Sequence, residues 1–445
     1  MVKLANILGS LNPAKVMVVG DMLLDSYTVG KARRISPEAP VAVIHVHHEE
    51  HRPGGAGNVI LNLISLGATV IPLGRIGKDW AGDMLCKALQ QEGVGADSIF
   101  VQESYRTPVK NRIIADNQQI VRVDFEQAIP LSGHLEEELI NALPALMQDV
   151  KIIALSDYGK GFLTPKLTQA IIQQAKERQI IVITDPKGQD FSKYQGTTII
   201  KPNLSEVYAA AGMPAHAPLE DVSRKVLQIT QAQMLMVTRS EAGISVFEAS
   251  GARQDFPVHA KEVKDVTGAG DTVLAMLAYA LANQLSYAEA AQLCNVAAGI
   301  AIEHVGCARV SLSDLAHRLF ESDMCHKVFD RERLFVLREV LKKKPFHILV
   351  VSSGEMLTPK LFQTIKQLTN DGESLLVYIK DPQPSQNFID MLASLREVSF
   401  ILIHQENMNF LSRQAHPLAT YEFNEHQLRP CQLTSSLLES LALNK

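Results

Sequence analysis

Residues Asp265 to Thr272 read DVTGAGDT and run straight into the apolar stretch Val273 to Leu281. Gly268 and Gly270 flank Ala269, and the acid Asp271 follows at once. A glycine-rich turn that opens a helix points several backbone N–H groups outward. The helix dipole adds to their partial positive charge, so such a turn is an anion site. Asp271 falls in the first helical turn, where the dipole favours an ionised carboxylate. Placed there, it can accept the proton of a hydroxyl that attacks a phosphoryl group. A bare GxGD also suits a tight turn in which the aspartate caps the helix. The full octapeptide, ahead of an apolar helix and late in an α/β sequence, favours the anion site.

The sequence on either side has the alternation that such a site needs. Val16–Val19, Ile152–Leu155, Ile180–Thr184, Thr198–Ile200 and Leu235–Val237 are compact apolar runs, and amphipathic stretches such as Leu167–Arg178 and Leu219–Thr230 lie between them. Buried strands alternating with helices predict a mostly parallel, doubly wound α/β sheet with helices on its faces. Val41–His48 and Val109–Phe125 instead alternate apolar and polar residues, the pattern of a half-exposed antiparallel sheet, and read as a small β lid. The charged segment Glu321–Arg333 marks the expected domain boundary, giving domains 1–325 and 326–445. The second domain restarts an α/β pattern: strands at His347–Ser352, Ser374–Ile379 and Val398–Ile403, with helices at Pro359–Leu368 and Phe388–Arg396.

Bulk properties narrow the classes of partner. The chain has 445 residues, 46% of them hydrophobic and 20% charged, with a formal net charge of −5. Two or three ordinary domains fit that length. The mild charge gives no electrostatic reason to expect nucleic acid or an anionic membrane as a partner. Val273–Ala282 is about half a membrane span, and the N-terminal residues do not read as a signal peptide. Cys86, Cys294, Cys307, Cys325 and Cys431 lack CxxC spacing, so neither a disulfide framework nor a zinc site is expected, consistent with the cytoplasm. Cys294 and Cys307 read as small buried hydrophobes, and Trp80 as packing. His45, His47, His48 and His51 invite a metal reading, but strand alternation puts His48 on the face opposite His45 and His47.

The octapeptide resembles that of the ribokinase-like (PfkB-type) carbohydrate kinases, and other motifs agree in order. Gly54, Gly55 and Asn58 in RPGGAGN resemble the family's glycine pair at the sugar site. Gly77, Asp79 and Gly82 resemble its IGxDxxG turn, where Asp79 also reads as a helix cap. Asn203, Leu204, Ser205 and Glu206 form NLSE, similar to the NxxE motif. Thr238, Arg239 and Gly243 lie in TRSEAG, where the family contacts nucleotide phosphates. The resemblance implies ATP and magnesium as cofactors, with Asp271 as catalytic base and Gly268, Ala269 and Gly270 as anion hole. It also implies Glu206 as an outer-shell contact to magnesium, a monovalent cation as a further candidate, and a homodimer formed through the lid. Asp25, in GDMLLDSY, would hold sugar hydroxyls; a loop cap is the alternative.

ARRISPEAPV, NQQIVRVDFE, LSDYGKG and DPKGQDFSKYQG are similar to bacterial heptose-phosphate kinases, and this likeness covers roughly residues 1 to 320. It implies phosphorylation of D-glycero-β-D-manno-heptose 7-phosphate on its anomeric hydroxyl to the 1,7-bisphosphate, a precursor of ADP-heptose and the lipopolysaccharide core. Another sugar phosphate is the alternative. Lys187, Lys160, Arg112 and Arg122 are candidates for the substrate's own phosphate, because a dianion needs cations or N–H donors; each alone also reads as surface charge.

The second domain resembles cytidylyltransferase-like nucleotidyltransferases, in which a GxFDxxHxGH loop follows the first strand. The corresponding stretch here, VVSSGEMLTPKL at Val350–Leu361, keeps Gly354 but has no histidine, and His404, His416 and His426 lie elsewhere. The expectation is a degenerate domain without adenylyltransferase activity, serving as an interaction module; an unrelated α/β domain is the alternative.

Overall fold

The computed structural model describes residues 4, 7–116, 118–258, 263–304, 306–322, 327–329, 333–352, 357–369, 372–403, 407–408, 411, 416–424 and 427–431. The chain divides into two compact units, one of Asn12–Ser311 and the other of Met1–Leu11 with Leu312–Lys445.

In the larger unit, nine strands form one sheet among the described residues. Its parallel centre is, in spatial order, Met234–Thr238, Ile199–Ile200, Ile181–Asp185, Ile152–Ser156, Lys15–Gly20, Thr69–Ile76 and Ile99–Val101. Ile244–Glu248 and Arg253–Phe256 add an antiparallel edge. Val16–Val19 and Ile152–Leu155 are fully buried, as strands covered on both faces must be. Helices Pro165–Glu177 and Leu219–Thr230 bury their apolar stripes beside the sheet; Thr164 caps the former through Leu167 N–H, and Pro165 opens it.

The lid is a separate four-stranded sheet in the order Ala42–Gly55, Met22–Ile35, Val109–Ala115, Gln118–Phe125. Both expected lid segments are in it. Strand Met22–Ile35 was not foreseen, because its first half is buried without alternation and only its end is exposed. It pairs antiparallel with Ala42–Gly55 and parallel with Val109–Ala115. The register slips where Val29 meets His48 and Gly30 meets Val46, so His47 is the extra residue of a β-bulge. His51 meets Trp80 edge to face, with ring centroids 4.8 Å apart. Trp80 is 55% exposed, so the packing expected of it is at the surface, against His51.

In the other unit, six strands form a sheet among the described residues, with Phe346–Val351 between Ser374–Ile379 and Ala419–Asn424. Helix Leu312–Ser322 belongs to this unit, packing on Leu334–Leu341, with Asp314 paired to Lys343 at 3.1 Å. The division therefore falls before the charged segment to which the sequence assigned it. Ser352 donates to Asp381 at 2.8 Å at the end of its strand. Of the expected degenerate loop, Ser353, Gly354, Glu355 and Met356 lie outside the described residues, as do His404 and His426. Among the described residues no helix is long and apolar enough to cross a membrane.

Candidate active site

The parallel strands deliver Asp21, Tyr158, Asp185, Asn203 and Thr238 to their carboxyl-terminal ends, where open α/β sheets bind ligands. Helix Ala269–Ala282 begins beside them. Gly268 is its cap, left-handed at φ 77°, which a residue without Cβ adopts freely. Thr272 reinforces the first turn by donating its hydroxyl to Gly268 O at 3.1 Å.

Asp271 is buried in that turn. Asn58 Nδ2 donates to its Oδ2 at 2.8 Å, and the Tyr158 hydroxyl donates to its Oδ1 at 2.7 Å. Burial pushes the Asp271 carboxyl up to about 7, against the pull of those two donors. A base titrating there is half ionised at neutral pH, the range in which proton acceptance is efficient. Asn58 is itself fixed by Asn62, which donates to Asn58 O at 3.0 Å. Asp21 sets the Tyr158 turn by accepting from the N–H groups of Tyr158, Lys160 and Phe162 at 2.9, 3.0 and 3.2 Å. A Tyr158→Phe variant removes one donor to the ionised form. Its pKa therefore rises, and the acid limb of the kcat/KM profile should move up by roughly one pH unit. An unmoved limb would show that Tyr158 does not act on Asp271.

The lid stands on one side of this helix start. Asp25 is buried, accepts from Arg112, and receives the Cys307 thiol at 3.5 Å. A Cβ on Gly54 would collide with Asp25 Oδ2, and one on Gly55, at φ 56°, would stand 2.6 Å from Asp21 O. The glycine pair is thus required by close approach. Cys307 is buried as expected, and it also touches Asp25 and borders Gly268. Burial, followed by the nearby Asp25 charge, pushes its thiol well up, so it stays protonated.

At the strand ends carrying NLSE and TRSEAG, Asn203 caps helix Leu204–Ala211 in a reciprocal capping box with Glu206, whose carboxylate accepts from Asn203 N–H at 3.0 Å. Thr238 bridges to Asn203, which brings TRSEAG against NLSE. Leu204 and Ser205 stand exposed on the first turn. Gly243 has φ 82°, and the Arg239 guanidinium turns back to Ala242 O and Asp255. Lys187 lies here too, pairing with Glu206 at 2.9 Å. The sequence made it a candidate for the substrate's own phosphate; the structure places it beside NLSE.

Tyr158, Asp185 and Lys201 carried no assignment from the sequence. Lys201 pairs with Asp185 at 2.9 Å, and both border Gly270, so a buried ammonium stands beside the N–H groups of the turn. Burial raises the Asp185 carboxyl, with Lys201 opposing. Tyr158 lies within LSDYGKG and Lys201 two residues before NLSE, and only the fold shows that both reach the start of helix Ala269–Ala282. Among the described residues no three His, Cys, Asp or Glu side chains converge on a metal position.

A glycine-capped helix with a buried carboxylate, set between the lid and the rim of NLSE and TRSEAG, suits transfer of a phosphoryl group to an alcohol. The description "pfkB family carbohydrate kinase" matches residues 13–314, and the chain belongs to that family. It is an ATP-dependent sugar kinase with a ribokinase-like fold. It is 44% identical over 331 residues to the bifunctional protein HldE of Trichlorobacter lovleyi, covering 74% of this chain and 67% of that one. It is 39% identical over 337 residues to the HldE of Helicobacter hepaticus, covering 74% and 70%. Among solved structures, Escherichia coli phosphofructokinase-2 in complex with potassium has a TM-score of 0.58 at 20% identity, covering 70% of this chain and 100% of that one. Arabidopsis thaliana ribokinase complexed with ribose and ATP has 0.54 at 19%, covering 69% and 99%.

Proposed function

We propose that the protein phosphorylates D-glycero-β-D-manno-heptose 7-phosphate on its anomeric hydroxyl, making the 1,7-bisphosphate for ADP-heptose and lipopolysaccharide core synthesis. The observation that carries this reading is the identity of 39–44% to HldE proteins over the kinase part, together with the buried Asp271 held by Asn58 and Tyr158. Asp271 receives the hydroxyl proton as the oxygen attacks the γ-phosphorus of ATP. The N–H groups of Gly268 to Asp271 and the Lys201 ammonium face the charge on the transferred group.

Magnesium fits the nucleotide rim. Asp185 and Glu206 offer carboxylates, and each Glu206 oxygen already has a partner in Lys187 or Asn203 N–H, which suits contact through water. Bound there, the ion would offset the charge of the ATP phosphates. We also propose a cytoplasmic homodimer formed through the lid, on which Ile35, Val46 and Ile120 are exposed. A purely monomeric mass in light scattering would remove that part.

The second unit, in this reading, has lost nucleotidyl transfer. The sequence Ser352–Lys360 carries no histidine and one lysine, too few donors for an α-phosphate and a departing pyrophosphate. The test offers the purified protein a panel of sugar phosphates with ATP and magnesium, and reads ADP, product mass and pyrophosphate. Heptose 1,7-bisphosphate without ADP-heptose is the expected result. Preference for another sugar phosphate would overturn the substrate, and pyrophosphate release from heptose 1-phosphate would overturn the silence of the second unit.

A further inference from the structure

We infer that Lys110 of the lid receives the phosphate that the acceptor sugar already carries, and so makes this kinase selective for a sugar phosphate over the free sugar. The inference rests on the reading above that the acceptor is a sugar phosphate.

A dianionic acceptor entering this site meets the carboxylates Asp25, Asp185 and Asp271, so it needs a cation that is not already neutralised. The basic residues that the sequence offered are all engaged: Arg112 with Asp25, Lys160 with Glu126 at 2.8 Å, Lys187 with Glu206, and Arg122 with Asp124 at 2.9 Å. Arg52 is held by Glu50, and Lys201 by Asp185. Among the described residues no carboxylate pairs with Lys110 or with Arg106; Arg106 lies over the Phe125 ring at 5.2 Å, whereas Lys110 lies across from Asp25. The Lys110 ammonium stands 5.5 Å from the centre of the Tyr158 ring, a cation–π contact.

Its position is fixed by the lid register. Lys110 lies directly across from Asp25 in the parallel pair Met22–Ile35 and Val109–Ala115. Arg112, two residues on, shares its face of the strand and reaches Asp25. That face looks onto the acceptor side. The ring beneath the ammonium belongs to the tyrosine whose hydroxyl holds Asp271. A sugar with its attacking hydroxyl at Asp271 and its other hydroxyls at Asp25 therefore lies alongside Lys110. An aromatic face holds an ammonium weakly, and an incoming phosphate displaces that contact at small cost.

The experiment compares wild type with Lys110→Gln and Lys110→Arg on heptose 7-phosphate and on the same heptose without phosphate, with melting temperature as a check on folding. The glutamine variant should lose about 10- to 100-fold in kcat/KM on the phosphorylated sugar, the size of a hydrogen bond between charged groups, mostly through KM. On the free heptose it should stay within about twofold of wild type, so the preference collapses. Arginine should restore part of it, because the charge is kept. Equal losses on both sugars would place Lys110 at the transferred phosphoryl group and overturn the inference, and so would no loss on either. Those outcomes leave the sugar-phosphate reading intact. A wild type that shows no preference for the phosphorylated sugar would instead overturn that reading and this inference together.

Discussion

Asp271→Asn is expected to cut kcat roughly 10³- to 10⁴-fold, since an amide cannot take the hydroxyl proton. ATP binding should persist, because Asn203, Glu206 and Thr238 are untouched. The same variant should gain stability at alkaline pH. The Asp271 carboxyl is raised from 3.8 to about 7 in the fold. A raised acid favours folding while it is protonated, and that contribution is lost as pH rises through the folded pKa. A neutral isostere escapes the loss, so Asp271→Asn should melt above wild type at pH 8 and the gap should narrow toward pH 4. Retention of more than about a tenth of kcat would remove Asp271 as the base. A lower melting temperature at pH 8 would show that the buried carboxylate is not the strained group its environment implies.

Gly268→Val should lose at least on the order of 10²- to 10³-fold in kcat/KM, the cost of losing an anion-hole donor. Gly268 sits at φ 77°, and a Cβ there would stand 2.7 Å from Asn58 Nδ2 and 3.2 Å from Cys307 Sγ. The substitution thus strains the helix cap, displaces a donor to Asp271 and crowds the thiol on Asp25. Gly93 separates strain from obstruction: it has φ 76° with nothing within 4 Å of its would-be Cβ. Gly93→Val should cost stability and leave turnover intact. Normal turnover of Gly268→Val would end the anion-hole assignment.

The parts legible in the sequence were those whose signal is local. The octapeptide announces the Gly268 turn and the acid Asp271 because they are close together in the chain, whereas the capping box within NLSE, equally local, was not named from the sequence. The buried strands were readable from their apolar runs. What escaped depends on distant pairing. Cys307 and Asp25 are 282 positions apart, and nothing near Cys307 suggests that a carboxylate receives its thiol. Tyr158 meets Asp271 across 113 positions. The basic residues were ambiguous for the same reason: Lys187 and Lys110 look alike in sequence, and only their partners, Glu206 for one and an aromatic face for the other, separate them.

The lid has a consequence for how such a kinase changes over generations. The chain enters it at Met22 and leaves at Gly55, which pair with each other, and it returns between Val109 and Phe125, which also pair. Each excursion is a hairpin closed at its base by a strand pair. Asp25, Lys110 and Arg112 ride on these hairpins, whereas Asn58, Asp271, Lys201 and Glu206 do not. On the proposed reading, the residues for acceptor recognition and those for phosphoryl transfer therefore sit on separate stretches of the chain. On that reading, changes confined to the two hairpins would alter the choice of sugar while leaving the helix that carries Asp271 and the NLSE rim in place.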